Sequence, residues 1–143
     1  MAQTDWAVLE LSSFQLMTMD LSPHIAVMTN LAPNHLDVHR DMDEYVESKA
    51  NIFCHQQPGD IAVFNLDNNI TRGLGGECAS QVRWFSRREE PAEGVFLRGE
   101  SIICRRSGQE REVLRTTDIK IPGVHNVENY MAAIAAVDGL VPD

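Results

Sequence analysis

The chain has 143 residues, 43% of them hydrophobic, and a net charge of −9, which fits one domain with a sizeable core. The acidic balance argues against a nucleic-acid or anionic-membrane surface, and no apolar run approaches the length of a membrane span. Residues 1–5 show no signal-peptide pattern, and Cys54, Cys78 and Cys104 lack CxxC spacing, so they read as free thiols in a reducing compartment, by default the cytoplasm.

In chain order, Trp6-Ala7-Val8-Leu9 reads as a buried strand of a parallel sheet that closes on Glu10. Ligands of open α/β sheets bind outside the carboxyl ends of the strands, so a Glu at that point would aim a hard oxygen ligand at the rim. The alternative is a Glu that caps a short helix over 12–19. Residues 24–29 form a second apolar run, followed by a polar loop with a proline. The clearest helix is predicted over 41–55, opened by a capping-box-like pair, Asp41 and Glu44. A third buried strand is predicted at 61–65, then a loop or helix start at 67–69. Gly73 to Gly76 is read as a break in the chain. Strands alternating with helices define an α/β fold with a Rossmann-like parallel sheet flanked by helices.

The pattern changes after residue 80. Runs at 82–85, 94–98, 101–105 and 111–114 are separated by Arg-Glu-Glu-Pro, Gly-Glu and Ser-Gly-Gln-Glu, which is hairpin punctuation. They predict a small antiparallel sheet appended to the parallel one, rich in Arg, without catalytic spacing, and read as a solvated accessory. The last element is a helix after Pro122-Gly123, with Ala132, Ala133, Ala135 and Ala136 as a close-packing face and Asn126 as its N-cap.

Two residues stand out as chemistry. Lys49 falls inside the apolar stripe formed by Met42, Tyr45, Val46, Ile52 and Phe53. A lysine there either snorkels to water or finds a partner, because a buried unpaired ammonium is very costly. The functional alternative is a lysine tuned for covalent chemistry or a tight ion pair. His35 follows the 24–29 strand and is expected at the same rim as Glu10. With His39 it makes a two-histidine pair, but it lacks the His-Glu-x-x-His pattern and a third ligand of a zinc hydrolase.

Four motifs then carry a resemblance: Glu-Leu-Ser-Ser-Phe-Gln-Leu at 10–16, Thr-Asn-Leu-Ala-Pro-Asn-His-Leu-Asp-Val-His at 29–39, Tyr-Val-Glu-Ser-Lys-Ala-Asn-Ile-Phe at 45–53, and Pro-Gly-Val-His-Asn-Val-Glu-Asn-Tyr-Met-Ala-Ala at 122–133. In this order they resemble the central domain of the Mur ligases, the ATP-dependent amide ligases of bacterial peptidoglycan synthesis. The Ser-Ser-Phe-Gln-Leu version most resembles the member that adds D-glutamate to UDP-N-acetylmuramoyl-L-alanine.

The resemblance implies roles. Glu10 matches the ligand of the ATP-associated magnesium, and His35 matches a ligand of a second magnesium. Lys49 matches the lysine carried as a carbamate, which turns an ammonium into the oxygen ligand that magnesium prefers. Lys49 and His35 are thereby the catalytic candidates. Ser12 and Gln15 match positions near the UDP-muramoyl substrate, and Asn126 and Asn129 match positions near the adenine of ATP. The implied reaction is acyl phosphate formation on the substrate carboxylate, then attack by the D-glutamate amine. The parent is expected to be a monomeric, cytoplasmic bacterial enzyme with no nucleic-acid or membrane partner.

No Gly-x-x-x-x-Gly-Lys-[Ser/Thr] phosphate loop occurs, and Gly76 is followed by Glu77. The chain is therefore expected to be a partial central domain, residues 1–143, lacking the phosphate loop, the N-terminal UDP-substrate domain and the C-terminal domain. Alone it is expected to be inactive. The alternatives are another Mur ligase, a folylpolyglutamate synthase-like ligase, or a non-catalytic binding domain on the same scaffold.

Overall fold

The computed structural model describes residues 6–32 and 42–141. The helices are α1 (Ser13–Met17), α2 (Met42–Cys54), α3 (Asn69–Gly76) and α4 (Val124–Val137). The strands are β1 (Ile25–Met28), β2 (Ile61–Asn65), β3 (Gln81–Ser86), β4 (Gly94–Arg98), β5 (Ser101–Arg106) and β6 (Gln109–Arg115). All six strands join one sheet in the order β1-β2-β3-β4-β5-β6. The first three pairings are parallel and the last two antiparallel.

Strand β2, between β1 and β3, is buried throughout. Ile61 and Val63 face a core with Phe85, Val95, Ile102, Met131 and the alanines of α4. Ala62 and Phe64 face the other core, with Tyr45, Ala50 and Phe53 of α2. This is the period-2 alternation of a strand sandwiched between helices. The crossover helices α2 and α3 both pack on the Phe64 face, as successive crossovers of one hand in one direction require. Helix α4 closes the opposite face with Ala132, Ala135 and Ala136 of the predicted alanine face, whereas Ala133 is exposed.

Three predicted features differ. First, the antiparallel strands form no separate sheet. Strand β3, expected with the hairpins, pairs parallel with both β2 and β4. The short link 87–93 suffices because β4 begins beside Trp84, so the chain need only step back a few residues. Gly94 (φ 134°) makes this approach possible, since a Cβ there would lie 2.1 Å from the Trp84 carbonyl oxygen. Second, Gly73 to Gly76 does not break the chain but completes α3, which is capped by Asn68 accepting from the N–H groups of Ile70 and Thr71. A Cβ on Gly75 would sit 2.4 Å from the Trp84 ring; here glycine provides close packing.

Third, residues 6–10 form no strand. Val8 is 96% exposed and Leu9 75%. An apolar run has strand propensity, but a strand also needs a ladder partner, and none of the described residues supplies one.

The hairpins fall as predicted, with two-residue turns at Gly99-Glu100 and Ser107-Gly108, the latter with positive φ at both positions. Cys54, Cys78 and Cys104 are free thiols. Burial, and after it the Asp138 charge, pushes the Cys104 thiol up to about 11. No helix among the described residues is long and apolar enough to cross a membrane.

Candidate active site

The carboxyl ends of the parallel strands form a polar rim. Beyond β1, the Thr29 carbonyl accepts from Asn65 Nδ2 (3.0 Å) and Asn30 Oδ1 from Asn68 Nδ2 (2.6 Å). Beyond β2, Asp67 accepts from Ser86 Oγ (2.5 Å) and the Arg87 N–H (2.8 Å). Beyond β3, Arg87 Nε donates to Glu128 of α4 at 2.7 Å. At the other end of β3, Arg83 donates to the Ala135 and Asp138 carbonyls that close α4. Helix α4 therefore runs antiparallel to β3, with its first turns, and with them Asn126 and Asn129, at the rim.

Lys49 is half-buried. Its Nζ lies 3.4 Å from the Leu11 carbonyl oxygen, so α2 meets the chain one residue beyond Glu10. The lysine thus resolves the stripe problem with a backbone partner. Asn51, two residues on, donates to the Leu16 carbonyl at 2.9 Å, which fastens α1 to α2. Ser12 and Gln15 bond each other: the Ser12 N–H donates to Gln15 Oε1 at 2.8 Å, and the Gln15 N–H to Ser12 Oγ at 3.4 Å. This is a capping box, so Ser12 caps α1 and Glu10 does not. Glu10 itself is exposed, on a stretch outside the sheet, and its expected place as the last residue of a buried strand is corrected.

Asn126 is not the N-cap of α4. That position is Gly123, without a side-chain cap bond, because the helix starts immediately after Gly123; Asn126 Nδ2 instead donates to the Pro122 carbonyl at 2.8 Å. Asn129 is exposed on the next turn.

The structure brings Lys49 to the stretch holding Glu10, Ser12 and Gln15, on the α2 face of the sheet. Asn126 and Asn129 lie on the opposite, α4 face. His35 and Asp41 fall outside the described residues. As a metal site the described part is incomplete: Glu10 offers one carboxylate, Lys49 as an amine offers no anionic oxygen, and no group of three or more His, Cys, Asp or Glu that could hold an ion occurs among the described residues. Sequence reasoning missed the rim contacts of Arg87, Asp67 and Glu128. Arg87 sits in a charged run that reads as a turn, and only its pairing with a residue 41 positions away sets it apart.

Comparison with known proteins fits this architecture. The Mur ligase middle domain family matches residues 1–137. The chain belongs to that family. Similar relatives carry the name UDP-N-acetylmuramoylalanine--D-glutamate ligase, two of them as follows. That of Acetivibrio thermocellus is 52% identical over 134 residues, covering 94% of this chain and 29% of the relative. That of Ruminiclostridium cellulolyticum is 47% identical over 143 residues, covering 99% and 31%. The chain thus spans about three-tenths of the length of the curated relatives it matches. Among solved structures, MurF from Acinetobacter baumannii superposes with a TM-score of 0.61 at 23% identity, over 83% of this chain and 26% of MurF. At this identity the likeness is one of fold.

Proposed function

We propose that this chain is the core of the central, nucleotide-handling domain of an ATP-dependent, ADP-forming ligase that adds D-glutamate to UDP-N-acetylmuramoyl-L-alanine in peptidoglycan synthesis. Identity of 47–52% to ligases of that name supports the substrate pair. The structural observation that carries the reading is the contact of Lys49 with the chain beside Glu10. Lys49 and Leu11, residues of two motifs 38 positions apart, meet there, one residue beyond Glu10.

The roles are those that the family resemblance implies. Glu10 serves as a ligand of the ATP-associated magnesium and His35, through nitrogen, as a ligand of a second one, and Lys49, once carbamylated, adds an oxygen donor. Ser12 and Gln15 face the muramoyl substrate, and Asn126 and Asn129 the nucleotide. Magnesium and ATP, when bound, supply charge neutralisation and the γ-phosphoryl group. That group passes to the alanyl carboxylate, ADP leaving. The D-glutamate amine then attacks the acyl carbon, inorganic phosphate leaves, and the amine proton is lost. Lys49 and His35 hold the reacting groups in line.

The phosphate cradle lies outside this sequence, and a charge of −9 repels a nucleotide. Calorimetric titration of the 143-residue chain with MgATP is expected to show weak or no binding, and micromolar binding would overturn its reading as a partial nucleotide site. In the intact ligase, steady-state release of inorganic phosphate should require both the muramoyl substrate and D-glutamate. Equal turnover with L-lysine or diaminopimelate would overturn the substrate assignment.

A further inference from the structure

Strand β3 presents Arg83 and Phe85, and Arg87 just past its end, on the face that meets α4. Phe85 belongs to the α4 core, and the two arginines bracket it. Arg83 Nη1 binds the helix C-terminus through the carbonyls of Ala135 (2.8 Å) and Asp138 (3.0 Å). Arg87 Nε binds Glu128, in the second turn, at 2.7 Å. Arg87 is itself fixed, because its N–H donates to Asp67. Ser86, which also donates to Asp67, accepts from the N–H groups of Arg88 (3.0 Å) and Glu89 (2.8 Å). Both partners of the ion pair are largely shielded, with side chains 26% and 19% exposed.

Apart from Val127, which packs against the sheet-facing core, the start of α4 has little to orient it. Gly123 gives no side-chain cap, and Val124 and His125 are exposed. Asn126 and Asn129 lie three residues apart and so share one side of the helix. At 100° per residue, Glu128 points well away from that side. Holding Glu128 against the end of β3 therefore fixes the rotation of this turn and turns the asparagine pair outward at the rim.

We propose that Arg87, acting through Glu128, is a positioning residue for the nucleotide-facing pair Asn126 and Asn129; this rests on the role given to those asparagines above. The ion pair orients the first turns of the helix, while Arg83 and the alanine core hold the helix itself.

The test uses the intact ligase that contains this chain, with Arg87→Ala, the isosteric Glu128→Gln, and the swapped double variant Arg87→Glu/Glu128→Arg. Both single variants should raise the KM for ATP, and the Kd of a non-hydrolysable ATP analogue, about tenfold through lost uniform binding. Turnover at saturation should stay within about twofold, and the KM for D-glutamate should not move. The double variant should recover most of the ATP affinity. Unchanged nucleotide affinity in both single variants would overturn the proposal. So would a parallel loss in turnover and in the affinity of every substrate, or a double variant as weak as the singles. An unsubstituted ligase that binds the analogue but does not use D-glutamate would overturn the substrate reading alone, because the Kd comparison still reports on the ion pair. Failure of the unsubstituted ligase to bind the analogue would overturn both.

Discussion

Residues 6–21 and helix α4 make an instructive pair. Both carry family motifs and both are strongly apolar. Yet Trp6 is 63% and Val8 96% exposed, while Met131 and Ala135 of α4 are at most 1% exposed. Within the first region only α1 is anchored, by the buried Leu16 side chain and by Asn51 of α2, which donates to the Leu16 carbonyl at 2.9 Å. The second is buried across β3, with an arginine at each end. A helix satisfies its own backbone and needs only a partner for its apolar stripe, whereas a strand needs another chain segment for every hydrogen bond. The same apolar content therefore leads to opposite outcomes.

The strongest way to break this contrast is by truncation in each region. Phe85→Ala, in the fully buried α4 core, should cost about 3–5 kcal/mol of unfolding free energy. Leu9→Ala, at an exposed position, should stay within about 0.5 kcal/mol. Urea denaturation of this chain checks both, and similar losses would mean that residues 6–10 are packed after all.

The contact of α2 with the first region should nevertheless dominate chemistry. In the intact ligase, Lys49→Ala should lower turnover by at least about 100-fold, since even residues that only support metal ligands are worth 10–100-fold. A short-chain carboxylic acid should restore part of it and bicarbonate should not. Phosphate release reports the outcome, and full activity would leave Lys49 as a residue that merely holds the Leu11 carbonyl.

A smaller effect concerns α1. Ser12→Ala removes the capping box and should cost about 1 kcal/mol of local helix stability. It should be visible as faster amide exchange over 13–17 with no change in α4.

The smallest effect comes at the far end of α4. Burial raises the Asp138 carboxyl pKa, but hydrogen bonds from Arg111 and Cys104 outweigh it and leave the group below the usual value. A depressed folded pKa contributes stability above the unfolded value and loses it as pH falls through the folded one. Stability should therefore decline below about pH 4, and Asp138→Asn should flatten that acid limb in unfolding midpoints measured against pH.

Much of this was legible in the sequence. The strands β1 and β2, the helices α2 and α4 and both hairpin turns follow from periodicity and turn chemistry, which are local properties. The Lys49 anomaly was legible as well, because a cation inside an apolar stripe demands a partner wherever it occurs. What only the tertiary structure decided is everything that depends on distant chain segments. Residues 6–10 remain outside the sheet for lack of a ladder. Strand β3 is parallel rather than part of a hairpin, because α3 carries the chain back across β2. Helix α3 runs on through Gly75, where the Trp84 ring takes the space a Cβ would fill. The bracket from Arg87 to Glu128 exists because the sheet sets the end of β3 beside the second turn of α4. Local pattern fixes which residues seek burial or a partner, and the fold fixes which of them find one.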